Sequence, residues 1–116
     1  MIVSMFCLAM ALQDAVDLAN DPARLLAQAE HTYETQVAEL GNSADPHSKK
    51  QLAEATARYG TAIMNSAALA PFEKYPRALK IYAKALELDP ENKEAKDNRQ
   101  MILDIYDSLG KKPPTE

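Results

Sequence analysis

The sequence has little of what several fold classes require. It contains no tryptophan, three glycines and one cysteine among 116 residues. The lone cysteine, Cys7, excludes an internal disulfide framework, and three widely separated glycines exclude a glycine-rich loop that binds phosphate. No run of alternating apolar and polar residues enriched in β-branched side chains is present, which argues against β-strands. Because alanine is abundant instead, the composition predicts an all-α fold.

Side chains that carry catalysis or bind metals do not converge in the sequence. His31 and Glu34 are three residues apart on one predicted helix face, where they could begin a metal site. A metal needs three or four ligands, and His47 is the only other histidine. No serine lies in a nucleophile elbow, and Cys7 has no base in a motif with it. We therefore expect no enzyme activity, no cofactor and no metal.

The charge is small but unevenly distributed along the chain. A formal net charge of −4, without a basic and aromatic surface, does not indicate binding to nucleic acid. Residues 1–48 hold one basic and seven acidic residues, a formal charge of −6. Residues 49–116 hold twelve basic and ten acidic residues, a formal charge of +2. This polarity could orient a partner or a second copy of the chain, and the alternative is a solvated surface without a specific role.

Residues 1–12 form an apolar run without a charged side chain. The run is shorter than the ~20 residues that span a bilayer, so no membrane span is predicted. Its length, together with Ala9 and Ala11, is typical of a secretory signal peptide, although the basic segment that normally precedes the apolar core is absent. This interpretation predicts a signal-peptide remnant and an extracytoplasmic protein, periplasmic or secreted. The alternative is a first helix that docks on a cytoplasmic domain, because Leu18 and Ala19 continue its spacing.

Proline, glycine and apolar spacing mark the predicted helix boundaries. The patterns predict helices over residues 22–40, 46–70, 76–88 and 93–109. Gly41 is expected to form a left-handed C-terminal cap, and Gly110 is expected to end the last helix. Gly60 lies inside a predicted helix, where it costs about 1 kcal/mol relative to alanine, and close packing against a neighbouring helix would explain it.

The predicted helices form one domain over residues 13–110, with four to five helices in all. Because the connections are short, consecutive helices should pack as antiparallel hairpins. Residues 111–116 are predicted to be a disordered tail.

One helix carries a motif with a clear physical meaning. Within the run YPRALKIYAKALELDP, Ala78 is followed by an aromatic residue, Tyr82, then by Ala85 and finally by Pro90. This spacing resembles the second helix of a tetratricopeptide repeat, and Tyr75 suits the turn between the paired helices of such a repeat. In this family small alanines let two helices approach, the aromatic ring fills the gap between them, and the proline sets the angle to the next unit.

The resemblance extends to the neighbouring segments. The family's first-helix pattern of tryptophan, leucine-glycine and tyrosine would fall near Ala62, Asn65-Ser66 and Leu69. Residues 92–109 resemble the extra helix that caps such arrays. The end of the chain is similar to that of small extracytoplasmic bacterial proteins of this type.

Two sets of residues are candidates for contact with a partner. Some members of the family grip a C-terminal carboxylate with polar residues drawn from three repeats, and Asn65 and Asn98 are the nearest counterparts here. The chain has too few repeats to assemble that grip in the usual way. Arg77, Lys80 and Lys84 follow helical spacing and would form a basic ridge. The ridge could meet an acidic peptide or the acidic half of a second copy, or it could be an ordinary solvated face.

The resemblance, which covers about residues 59–109, implies a protein-interaction module. Such a scaffold binds a peptide or protein partner on a concave helical face, without catalysis. The alternative is a bundle that self-associates as a homo-oligomer through the small-residue helix at 46–70 and has no separate ligand.

Overall fold

The computed structural model describes residues 20–114. They form four helices: α1 (Pro22–Leu40), α2 (Pro46–Met64), α3 (Pro71–Leu88) and α4 (Lys93–Ser108). No strand occurs within this range, so the all-α prediction is confirmed. None of the four helices combines the length and the apolar character needed to cross a bilayer. The alternatives given for residues 1–12 concern a segment outside the described residues.

The helix starts follow from the residues placed there. Each of the first three helices has proline in its first turn, where the missing N–H leaves no intrahelical bond unmade. The carboxylate of Asp21 accepts a hydrogen bond from the backbone N–H of Arg24 at 3.2 Å. The side chain of Asn92 caps α4 by accepting one from the N–H of Ala95 at 2.9 Å.

Two predicted boundaries between the second and third helices are wrong. Helix α2 ends at Met64 rather than at Ala70, and α3 begins at Pro71 rather than at Pro76. Pro71 was expected to stop a helix, but it occupies the first turn of the next one. Pro76 lies inside α3, where its ring leaves the carbonyl of Phe72 without the usual i−4 donor.

The core lies mainly between α2 and α3, around the ring of Tyr82. Tyr82 has no exposed surface, and a Cβ atom added at Gly60 would lie 2.7 Å from its Cε1 atom. Gly60 therefore leaves room for the aromatic ring, and the predicted close packing of a neighbouring helix at this glycine is present. Asn65 and Ser66, where the family pattern was expected, lie in the connection after α2 and not in a helix.

The outer helices attach to this hairpin unequally. Helix α4 buries Ala95 and Ile102 completely and contacts both α2 and α3. Helix α1 buries no residue fully, and among the described helices it contacts only α2. Its attachment centres on Tyr33, whose ring stacks on that of Tyr59 with centroids 4.8 Å apart. Among the described residues, one side of α1 consequently remains uncovered.

The two glycines expected at helix ends behave differently. Gly41 has φ −64°, so the predicted left-handed cap at the end of α1 is wrong; its N–H continues the helical pattern by bonding to the carbonyl of Val37. Gly110 has φ +67°. The N–H of Lys111 bonds to the carbonyl of Tyr106 there, which completes a left-handed C-terminal cap. The disordered tail from residue 111 stays a prediction.

Substitution of Gly60 by alanine tests the closest contact between α2 and α3. We expect Gly60→Ala to lower the free energy of unfolding by about 1–2 kcal/mol, because overpacking outweighs the better helix propensity of alanine. Urea unfolding of the single variants and of the double variant with Tyr82→Leu forms a double-mutant cycle. Since leucine lacks the ring atoms, Gly60→Ala should cost little in the Tyr82→Leu background. An equal cost in both backgrounds would contradict the contact.

Candidate functional site

The residues of the α3 motif lie in the core, at its edge or in the connection that follows α3. Ala78, Tyr82 and Ala85 have no exposed surface and face the core between α2 and α3. Tyr75 is partly buried against the same core, and Pro90 is exposed in the connection from α3 to α4. These residues hold the hairpin together, so a surface for a partner must lie elsewhere.

Helix α2 is central, and three consecutive residues point to its three neighbours. Tyr59 stacks on α1, Gly60 meets Tyr82 of α3, and Thr61 bonds to α4. Because successive helical residues are about 100° apart, one strip of α2 between α1 and α4 is left uncovered by residues 20–114. Glu54, Arg58 and Asn65 lie on this strip and are exposed.

A groove runs between α1 and α2 on the side that carries Arg58 and Asn65. One cavity of about 280 Å³ is lined by Ala29, Thr32 and Gln36 of α1 and by Ala55 and Arg58 of α2, with the stacked tyrosines. A second cavity of about 310 Å³ is lined by Pro22, Leu25 and Leu26 of α1, by Ala62 of α2, and by Asn65 and Ser66, which directly follow α2. Since these residues recur at spacings of three and four, the two cavities follow one flank of the helix pair. We call this the α1–α2 groove.

Arg58 is the only charged residue among those lining the two cavities. Its side chain is exposed. The ion pairs found within residues 20–114 join Lys93 to Asp97 and Lys96 to Glu91, so no described carboxylate pairs with Arg58. The lining of the groove therefore carries one charge, although Glu30, Glu34 and Arg77 lie near enough to Tyr59 to act on the pKa of its phenol.

A polar junction ties α4 to the hairpin beside the exposed strip of α2. The Thr61 hydroxyl lies 2.6 Å from the Glu94 carboxylate and 2.9 Å from the Tyr82 hydroxyl. The Asn98 amide nitrogen lies 3.1 Å from the Thr61 oxygen and 3.3 Å from the Tyr82 oxygen. A carboxylate can only accept, so Thr61 donates to Glu94 and accepts from Tyr82 and Asn98.

The polar junction decides the role of one predicted partner contact. The amide of Asn98 is committed to Thr61 and Tyr82 inside the protein, whereas Asn65 is exposed at the end of α2. The structure does not bring the two asparagines together into one grip. Asn65 lines the α1–α2 groove and remains available.

Lys80 and Lys84 of the basic ridge lie away from the groove, whereas Arg77 lies near enough to Tyr59 to lower the pKa of its phenol. Arg77, Lys80 and Lys84 are all exposed on α3, which packs on the side of α2 opposite Arg58. The charge of Glu30 raises the pKa of the Tyr59 phenol, and the charge of Arg77 lowers it. Charges of α1 and α3 therefore act on one side chain of α2, although α1 and α3 do not contact each other. The structure does not unite the ridge with Asn65 or Asn98.

The remaining candidates for chemistry stay apart. Within residues 20–114, no three or more histidine, cysteine, aspartate or glutamate side chains come together in a way that could hold a metal. His31, Glu34 and His47 are exposed, as expected for ordinary helix positions. Sequence reasoning missed Arg58, because a single arginine in a helix has no motif, and its importance arises only when α1 is placed beside it.

Two tyrosines have perturbed acidities. Burial raises the pKa of Tyr82 above its usual 10.0, and its hydrogen bonds with Thr61 and Asn98 oppose this shift. Burial, with the charge of Glu30, raises the pKa of Tyr59 in the same direction. Both phenols are therefore neutral at physiological pH.

Comparison of the chain with protein-family models, with curated proteins and with solved structures finds no significant match. The tetratricopeptide resemblance consequently depends on the residues of this chain and on the packing they produce.

The polar junction predicts how stability depends on alkaline pH. Because the pKa of Tyr82 is higher in the folded than in the unfolded chain, its contribution is complete below pH 10 and is lost as pH rises through the folded value. Tyr82→Phe should cost about 1–2 kcal/mol at pH 7, since Thr61 and Asn98 lose a buried partner, and should flatten the alkaline decline. Thermal unfolding between pH 7 and 11 measures both effects. Tyr106→Phe, outside the polar junction, is the control; the same flattening in this control would contradict the assignment.

Proposed function

We propose that the chain is a protein–protein interaction module that binds a peptide or protein partner in the α1–α2 groove. The observation that carries this proposal is the open flank of α1, which leaves two cavities in line along α2. We propose no catalytic role, because no convergent set of titratable side chains accompanies the groove.

The shape and lining of the groove favour a macromolecular partner over a small metabolite. Small-molecule sites are enclosed and hold a few convergent polar groups. Here the cavities lie along two parallel helix surfaces, and their polar side chains, such as Thr32 and Asn65, are spread over the length of the groove. Grooves between helices are a common docking place for peptide segments.

The hairpin packing supports the tetratricopeptide part of the proposal. The alanines and the aromatic ring of the α3 motif interlock with α2 at Gly60, as a repeat of this kind requires. Helix α4 covers the hairpin on one side as a capping helix would. Each repeat in such arrays buries its face against a neighbour, and α1 covers the other side only in part. An extracytoplasmic location remains a prediction from residues 1–12.

Self-association through the small-residue helix has less support. Ala53 and Ala57 of α2 are fully buried, and Gly60 is filled by Tyr82. Much of the small-residue face therefore lies inside one chain, and Ala55 and Ala62 are the small residues of α2 that line the groove.

Site-directed crosslinking tests the groove as a binding surface. A photo-crosslinking amino acid at position 62, in the groove, should capture a discrete partner in cells that express the chain, and the same residue at position 84, on the basic ridge, should not. A third crosslinking site at position 65, also in the groove, allows position 62 to be mutated. Ala62→Glu, which places a charge in the groove, should prevent capture through position 65. Lys80→Glu with Lys84→Glu should leave that capture unchanged.

The alternatives give different results in the same experiment. Capture of the chain itself at position 62, together with a dimer in sedimentation, would favour self-association. Equal capture at positions 62 and 84, or capture through position 65 that survives Ala62→Glu, would contradict the groove proposal. Circular dichroism of each variant checks that the fold is retained.

A further inference from the structure

We infer that the partner enters the α1–α2 groove as an amphipathic helix and places an acidic side chain opposite Arg58. The inference rests on the proposed function of the groove and adds the chemistry of the partner.

The backbone of the groove walls favours a helical partner. The main-chain N–H and C=O groups of α1 and α2 are bonded within their own helices and cannot pair with an extended peptide. An extended segment would bring its own backbone groups against alanine and leucine side chains, where unpaired polar groups are costly. A helix satisfies its backbone internally and presents only side chains to the walls.

The side chains of the groove allow a third helix to approach closely. Ala29 of α1 and Ala55 and Ala62 of α2 are the small residues along it. From Ala55 to Asn65 the groove spans ten residues, or about 15 Å at the helical rise, which is close to three turns. Leu25, which is 47% exposed, borders the end near Pro22 and would be covered by apolar side chains of the partner.

The charge of the groove selects the sign of the partner. Arg58 forms no ion pair within the described residues, although Glu54 lies one turn before it on the same strip of α2, and the other residues that line the two cavities are uncharged. A docked helix would remove part of the water around the guanidinium, and an arginine covered without a counter-ion is costly. A carboxylate on the partner offsets that cost and can bond to the guanidinium through two oxygens. A lysine at the same place would be repelled.

Position along the groove gives the expected pattern in the partner. Arg58 lies three residues after Ala55 and four before Ala62 on α2. A helix lying along α2 therefore meets apolar wall about one turn on either side of the arginine. The expected partner face has aspartate or glutamate at one position, apolar residues three or four positions away, and more apolar residues toward the leucine end.

Selection from a peptide library tests the inference. The probe is a displayed library of randomised 15-residue segments, one half presented on a helical scaffold and the other half as unstructured peptides. It is panned against the full chain, against Arg58→Glu and against Lys84→Glu, which makes the same charge change on α3 away from the groove.

The inference expects helical binders that carry an acidic residue at helical spacing from two apolar residues. Their affinity for Arg58→Glu should fall about tenfold, whereas Lys84→Glu should change it less than twofold. The selection on Arg58→Glu should enrich lysine or arginine at the acidic position. Arg58→Gln should give an intermediate loss, which separates the charge effect from any change in folding.

The outcomes separate this inference from the proposed function. Binders that Ala62→Glu abolishes, but that are extended or have no acidic preference, would refute the inference and leave the groove as the binding surface. Binders unaffected by Ala62→Glu, or no binders to the full chain, would count against the groove itself.

Discussion

The contact between Gly60 and the ring of Tyr82 fixes the distance between α2 and α3, and the other helices take their positions from that distance. A fully buried aromatic ring can meet a helix axis this closely only where a side chain is absent. The cost of glycine inside a helix is offset by burial of the largest side chain of the core. With α2 and α3 set in this way, Tyr59 turns toward α1 and Thr61 turns toward α4.

The hydroxyl of Tyr82 extends the same interaction to α4. Its hydrogen bonds with Thr61 and Asn98 place polar atoms of three helices at one point, and the Thr61 hydroxyl donates its proton to Glu94. No buried side-chain nitrogen or oxygen within the described residues lacks a partner. A satisfied polar junction specifies one arrangement, because sliding α4 by a turn would leave several of these groups unpaired. Helix α4 is therefore rigidly placed, in contrast to α1, whose main aromatic contact is a single stacked pair.

The sequence predicts much of this fold and little of the site. Asp21-Pro22 and Asn92 act through local capping interactions, so the predicted starts of α1 and α4 were correct. From sequence alone, Pro71 could end one helix or begin the next, and Pro76 could begin a helix or lie inside one. Only the packing of α3 along α2 decides between these alternatives. The resemblance predicted a small residue of the first helix at Ser66, but Ser66 lies in the connection over residues 65–70, and the small residue that meets Tyr82 is Gly60. Arg58 could not be recognised from sequence, since its meaning depends on what α1 leaves uncovered.

The weak attachment of α1 has a consequence for binding. Leu26, Ala29 and Tyr33 contact the core but stay partly exposed, so α1 forms with less burial than the other helices. A partner that lies in the groove would cover these residues from the open side and would contact α1 only when it is folded against α2. Binding and the docking of α1 are then linked, since a ligand stabilises the state to which it binds. Substitutions that loosen the Tyr33–Tyr59 stack should thus weaken binding of a partner in the groove both through lost contacts and through poorer docking of α1. Changes in the polar junction around Tyr82 should act on α4 and leave the α1–α2 groove in place.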